Sequence, residues 1–285
     1  MVKLAVFDLD NTLLTEDKKL TDATLDALRQ LQNHGVKIAV ATGRTFALAR
    51  PFVRALKIEG PNAYNNGALI ETDTGTTIYK LAIPQEAQRF VVDYALKKDL
   101  VFVLYGKKTI YGPSNDRLDF FKHWNQNHPE ASVAVCETTD RNRLIAPEAF
   151  KVLIRLKEDD DEDSIMETLR SIDGLHVTKS QNTFIDITAE GAHKGNAIKR
   201  LMEHYDVGKE ETLAFGDNDN DAEMLRAAGF SYAMKNGTLK AKEAASRETA
   251  DSAEENGVAK TLLELQHHFI MKEGDCHGKN RNHHR

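Results

Sequence analysis

Along the first third of the chain, short apolar runs at 4–7 and 36–41 read as strands, while 21–34 and 45–56 carry apolar residues at helical spacing. In the first of these helices Leu25, Leu28 and Leu31 fall on one face, Thr21 is placed to cap the start and Gly35 to stop the end. Strands that alternate with helices predict parallel pairing, right-handed crossovers and a sheet covered on both faces. The expected fold class is α/β, a doubly wound parallel sheet of the Rossmann-like kind.

The texture changes at Pro84. A helix over 85–98 leads into two strands with a hairpin turn at 106–108, then a strand at 150–156, a helix at 162–172, and two strands in 175–188 joined around 180–182. Strands and helices in blocks predict a separate α+β module. After Gly191 the first texture returns, with helices over 194–205, 219–228 and 257–269 and a strand at 212–217. The expected organisation is a discontinuous α/β core, 1–83 and 189–270, an inserted α+β unit at 84–188, and a polar, flexible tail at 271–285.

Composition narrows the function classes. The chain has 285 residues, 41% hydrophobic and 29% charged, as expected of a globular protein of about two domains. Lys and Arg total 38 against 44 Asp and Glu, a net charge of −6, so nucleic acid and anionic membranes are not expected partners. Cys136 and Cys276 lie far apart and read as free thiols of a reducing compartment. There is no apolar run long enough to span a membrane, and Asp8 comes too early for a signal peptide, so a cytoplasmic location is expected. His277, His283 and His284 lack regular ligand spacing, and the acidic run at 158–163 reads as a solvated loop and helix start. No heptad pattern stands out, so a monomer or weak homodimer is expected.

The candidate chemistry lies where apolar runs end. Asp8 and Asp10 follow Leu4-Ala-Val-Phe, so two carboxylates emerge at the carboxyl edge of a parallel sheet, where ligands of open α/β sheets bind. At about 3.3 Å per residue their Cα atoms are about 6.6 Å apart, within reach of one site. Alone, this pair would favour a solvated turn, with Asn11 and Thr12 as caps. The second strand ends at Thr42-Gly43-Arg44 and is followed by a helix, whose start offers N–H groups to an anion. A third strand ends at Asp217, followed by Asn218, Asp219, Asn220 and Asp221. These match the first ligand positions of an EF-hand loop, but Ala222 replaces its turn glycine and Ala228 its final Glu. Lys194 opens a helix and is the basic residue best placed for phosphate, whereas His193 reads as structural. Carboxylates at 8, 10, 217 and 221, a hydroxyl at 42 and an ammonium at 194 all fall on one predicted edge. Clustered carboxylates repel unless a cation lies among them, and hard oxygen ligands beside a phosphate suit Mg²⁺. The chemistry implied is phosphoryl transfer.

This set resembles the haloacid dehalogenase superfamily, specifically its Cof-like phosphatases with a large inserted cap. The residues that carry the resemblance are Asp8-Leu-Asp-Asn-Thr-Leu-Leu, Thr42-Gly-Arg, Lys194 and Gly216-Asp-Asn-Asp-Asn-Asp, with Asn66-Gly-Ala and Asn256-Gly-Val beside them. Asn11 departs from the glycine often found there. The resemblance implies that Asp8 attacks phosphorus to form an aspartyl-phosphate and that Asp10 is the acid and then the base. It implies Mg²⁺ held by Asp8, the Asp10 main-chain carbonyl and Asp217, with Asp221 supporting the metal or Lys194. Phosphate would be met by the Leu9 backbone, Thr42, Gly43, Lys194 and Asn220, with Arg44 a candidate for substrate contact. Tyr105, Lys107 and Lys108 read as a solvated turn. The substrate class implied is a small phosphorylated metabolite, a sugar phosphate or a vitamin or flavin-precursor phosphate. Phosphomutase-type transfer uses the same residues, and a regulatory phospho-acceptor resembling receiver domains is the non-enzymatic alternative.

Overall fold

A computed structural model describes residues 1–180 and 183–266. The first section runs β1 (Leu4–Phe7), α1 (Asp22–Asn33), β2 (Lys37–Val40), α2 (Phe46–Ala55), β3 (Asn62–Tyr64), β4 (Leu69–Glu71) and β5 (Thr77–Lys80). The middle runs α3 (Gln85–Lys97), β6 (Val101–Tyr105), β7 (Thr109–Gly112), α4 (Asp116–Asn127), β8 (Ala134–Glu137), α5 (Arg141–Ile145), β9 (Lys151–Arg155), α6 (Glu162–Arg170), β10 (Leu175–Ser180) and β11 (Phe184–Ala189). The last runs α7 (Lys194–Tyr205), β12 (Thr212–Gly216), α8 (Ala222–Ala227), β13 (Phe230–Ala233), α9 (Leu239–Ala244), β14 (Arg247–Glu248) and α10 (Gly257–Glu264).

Five strands form an all-parallel sheet in the order β14-β13-β12-β1-β2. Alternation sends Ala5, Phe7, Ile38, Val40, Leu213 and Phe215 to one face, packed on α1, α2 and α10, and Leu4, Val6, Ala39 and Ala214 to the other, packed on α7, α8 and α9. Helices on both faces make the sheet doubly wound. As expected, the Thr21 hydroxyl caps α1 by accepting from Thr24 N at 3.2 Å, and Gly35 follows it at φ +80. Because β1 pairs with β2 on one side and β12 on the other, the winding reverses at β1, and its carboxyl end is the topological switch point.

The six-stranded cap sheet has the order β10-β11-β9-β6-β7-β8, antiparallel except where β7 pairs with β8. One face, Phe102, Leu104, Val152, Ile154, Ile185 and Ile187, packs on α3 and α6. The opposite face, with Val103, Tyr105 and Leu153, meets Leu118 and Phe121 of α4 in a cluster that extends to Ala47 and Leu48 of α2. Cap and core meet at a small apolar joint where Ala68 and Leu69 pack with Phe150, Ala189 and Ala192.

Several local expectations change. A three-stranded antiparallel sheet, β3-β4-β5, occupies a stretch where no strand was expected. The helix expected over 219–228 is a 3₁₀ turn at Asp219–Asp221 followed by α8, because Asp221 turns back to accept from Asp217 N and Asn218 N instead of serving a regular first turn. The solvated-turn reading of 105–108 holds for Lys108. Tyr105 is 2% exposed and its hydroxyl accepts from Arg117 Nε, because strand alternation places it on the α2-facing side of the cap sheet. Lys107 is tied to buried Glu71 at 2.6 Å. The turn at 181–182, the expected continuation of the last helix to 269, the tail and Cys276 lie outside the described residues.

Candidate active site

The switch point gathers side chains from four segments. Beyond β1, Asp8 N donates to the Phe215 carbonyl at 3.0 Å, which fixes the first carboxylate at the sheet edge. Lys194, the first residue of α7, donates from Nζ to Asp8 Oδ1 at 2.5 Å and to Asp221 Oδ1 at 2.6 Å. The other Asp221 oxygen accepts from Asp217 N and Asn218 N at 3.0 and 2.9 Å. Thr12, part of the first motif but given no role above, donates to Asp217 Oδ1 at 3.0 Å. All of these side chains are buried: Asp8 is 5% exposed, Asp217 6%, Lys194 1% and Asp221 0%.

Asp10 faces another way. Arg44 grips both of its oxygens, Nε on Oδ2 at 2.7 Å and Nη2 on Oδ1 at 2.6 Å, and Lys18 approaches Oδ1 at 3.0 Å. Arg44 thus meets the predicted acid/base. Lys18 was missed because its left-handed backbone, φ +62, folds it back on the motif, a turn that a lysine in the sequence does not advertise. Thr42 is 1% exposed, its hydroxyl accepting from Arg44 N, and its carbonyl takes Asn66 N at 2.9 Å. Asn66 Oδ1 accepts from Asn220 Nδ2 at 3.0 Å, and a Cβ on Gly43 would come within 3.1 Å of that same oxygen. Leu9 is fully buried and its carbonyl takes Leu14 N at 2.8 Å. His193 caps α7, its ring nitrogen accepting from Asn196 N, with Glu223 beside it.

The electrostatics follow from three carboxylates around one ammonium. Burial, and then repulsion from Asp221, Asp217 and Asp10 only partly offset by Lys194, holds the Asp8 carboxyl well above its ordinary value. Burial and then Asp221 raise Asp217 to about 6. Burial alone would lower Lys194, but Asp221 and Asp8 outweigh it and hold its ammonium above the ordinary lysine value. Burial would raise Asp10 too, yet the Arg44 hydrogen bonds and charge, followed by Lys18, bring it down to about 2. Carboxylate oxygens of Asp8, Asp217 and Asp221 all lie within 4.8 Å of one another. An all-oxygen, carboxylate-rich set whose own charges repel fits a small hard dication such as Mg²⁺.

Comparison with known proteins identifies the family. A family profile described as haloacid dehalogenase-like hydrolase matches residues 5–262. The chain is 28% identical over 278 residues to the 5-amino-6-(5-phospho-D-ribitylamino)uracil phosphatase YitU of Bacillus subtilis, covering 92% of this chain and 96% of that protein. It is 26% identical to the HMP-PP phosphatase of Yersinia pseudotuberculosis, covering 95% of this chain and 96% of the relative. Among solved structures, the subclass IIB sugar phosphatase BT4131 superposes with a TM-score of 0.75 at 26% identity, covering 94% of this chain and all of the other. The chain belongs to the haloacid dehalogenase-like hydrolases, the family of these phosphatases.

Proposed function

We propose that this hydrolase removes phosphate from a small phosphorylated metabolite through an aspartyl-phosphate on Asp8. The observation that carries the reading is the buried Asp8–Lys194–Asp221 network beside Asp217 at the switch point, with Asp10 a separate carboxyl under Arg44. Mg²⁺ would be held by Asp8, Asp217 and the Asp10 main-chain carbonyl and would neutralise charge on the phosphoryl oxygens. An Asp8 carboxylate oxygen attacks phosphorus and the bond to the leaving oxygen breaks. Asp10 gives that oxygen its proton, then takes a proton from the water that attacks phosphorus, which frees inorganic phosphate and restores Asp8. Lys194 holds Asp8 in place and offsets the phosphate's charge, while Thr42, the Gly43 and Leu9 backbone and Asn220 meet its oxygens. Asp10 enters in its ionised form. A phosphate dianion competes for Arg44 and Lys18, and withdrawing either lets Asp10 take up a proton from solvent before the bond to the leaving oxygen breaks.

The cap, 84–188, closes over this edge and keeps water from the first step. The substrate class, a sugar phosphate or a vitamin or flavin-precursor phosphate, is supported by what the relatives are named for. We place the enzyme in the cytoplasm as a monomer or weak homodimer without nucleic-acid or membrane partners. Among the described residues no helix is long and apolar enough to cross a membrane. The test is phosphate release from a panel of sugar, vitamin and flavin phosphates with Mg²⁺ or EDTA, wild type beside Asp8→Asn. Mg²⁺-dependent release that Asp8→Asn abolishes supports the reading. An isomeric sugar phosphate with little free phosphate would replace it with a phosphomutase, and a stable phosphoprotein without turnover with a phospho-acceptor.

A further inference from the structure

The cap carries one polar pair that neither its fold nor the phosphate site explains. On β11, Ile185 and Ile187 enter the core under α3 and α6, so Asp186 and Thr188 project from the opposite face. On β9, Val152 and Ile154 do the same, which leaves Lys151 and Leu153 opposite. Lys151 Nζ donates to Asp186 Oδ2 at 2.8 Å, and the two residues are 9% and 6% exposed. Asp186 Oδ1 is buried with no hydrogen-bond partner among the described residues. A buried carboxylate oxygen left unmatched is costly, and native structures retain one where a partner arrives from elsewhere.

The place of this pair says where such a partner would come from. The same face of the cap sheet reaches Ala47 and Leu48, in the helix that follows Thr42-Gly43-Arg44. Phe150, next to Lys151, packs in the joint with Ala68, two residues after Asn66. Thr188, two residues or about 7 Å along the strand from Asp186, donates to the Ala192 carbonyl at 3.3 Å, two residues before Lys194. The pair therefore lies on the cap face that turns toward the core segments carrying the phosphate residues. Tyr105 lines the same patch, its ring 5.8 Å from Lys151 Nζ.

We propose that Asp186, oriented by Lys151, is the cap's acceptor for a hydroxyl group of the leaving alcohol, so that the enzyme selects polyol or sugar phosphates over phosphate esters that carry no further hydroxyl. This rests on the phosphatase reading above. Oδ2 is committed to Lys151, so Oδ1 is left to accept one O–H. A hydrogen bond to a charged acceptor in a dry site discriminates against the analogue lacking it by about ten- to a hundredfold.

The test measures kcat/KM for ribitol 5-phosphate, glucose 6-phosphate and p-nitrophenyl phosphate with wild type, Asp186→Asn and the double variant Lys151→Met/Asp186→Asn, which leaves no unpaired buried ammonium. The quantity read is the ratio of the better hydroxylated substrate to p-nitrophenyl phosphate. A fall of fivefold or more in that ratio in a folded variant supports the assignment. A smaller change, or equal losses on all substrates, overturns it and leaves the phosphatase reading standing. If wild type releases phosphate from none of the three and from nothing in the broader panel, both readings fail together; release from the panel but from none of the three overturns the assignment alone. If neither variant folds, the pair is a structural element and the assignment is overturned.

Discussion

Asn11 shows how one departure from a family pattern is accommodated. Its backbone is left-handed, φ +56, which explains why glycine suits this position and why Asn, the side chain that best tolerates that region, can stand in. The loop is further held by Asn236 Nδ2 donating to the Asn11 carbonyl at 2.9 Å. Asn11→Gly should change urea stability little, whereas Asn11→Val should cost about 1–2 kcal/mol; equal midpoints for the two would remove backbone strain from the explanation. Asp217 gives the pH prediction. Its folded value, about 6, lies above the ordinary 3.8. A raised carboxyl contributes stability that is fully present below the unfolded value and lost as pH rises through the folded one. In EDTA, the urea midpoint of wild type relative to Asp217→Asn should therefore fall between about pH 4 and pH 6. Mg²⁺ should reverse that loss above pH 6, since the metal needs the deprotonated oxygen. A midpoint difference that stays flat in EDTA would mean that Asp217 ionises in the folded protein as it does in the unfolded chain. At this scale the sequence was most informative about residues at strand ends, Asp8, Thr42 and Asp217. It was silent on Lys18, Lys151 and Asp186, whose partners are set by a left-handed turn or by cross-strand register.

At the scale of elements, buried parallel strands announce themselves as apolar runs, and amphipathic helices between them settle the winding, so the core sheet was legible. The β3-β4-β5 sheet was not, because its strands are three or four residues long and β5 faces solvent along most of its length. Asn65, Asn66 and Gly67 between β3 and β4 all have positive φ, a conformation no hydrophobic period can encode. Helix α4 was missed because its apolar side chains do not form one stripe: Phe121 is fully buried while its neighbour Phe120 is 42% exposed. The turn after β12 is built around close approach. A Cβ on Gly216 would lie 2.6 Å from the Asp221 Cβ and 2.7 Å from its Cγ. Gly216→Ala should cost about 1–3 kcal/mol and, by pushing Asp221 off Lys194, reduce phosphate release about 10- to 100-fold. Thermal melts and turnover check this, and wild-type turnover in a folded Gly216→Ala protein would show that Asp221 need not sit where it does.

At the scale of the molecule, core and cap are tied at polar points around the apolar joint. Lys107 reaches Glu71, Lys80 pairs with Glu148 at 2.8 Å, and Arg50 donates to the Glu130 carbonyl at 2.7 Å. Glu71 is 2% exposed while Lys107 is 37% exposed, so the pair is screened on one side only. Lys107→Met should cost about 1 kcal/mol and speed amide exchange in β6 and β7 more than in β1 or β12. Uniform exchange across both sheets would mean that the tie does not hold the cap.

The joint itself has a consequence for how the enzyme can be adjusted. Leu81 and Ala82 on the way into the cap, and Ala189 and Ala192 on the way out, lie in one small cluster, so both crossings of the chain occur side by side. Asp8, Asp217 and Lys194 all belong to the core, so a substitution in this joint leaves the spacing among them untouched. A change in the joint should therefore act through how the cap seats over the site, on water exclusion and on contacts to the leaving alcohol, while the residues that meet the phosphate stay where the core holds them.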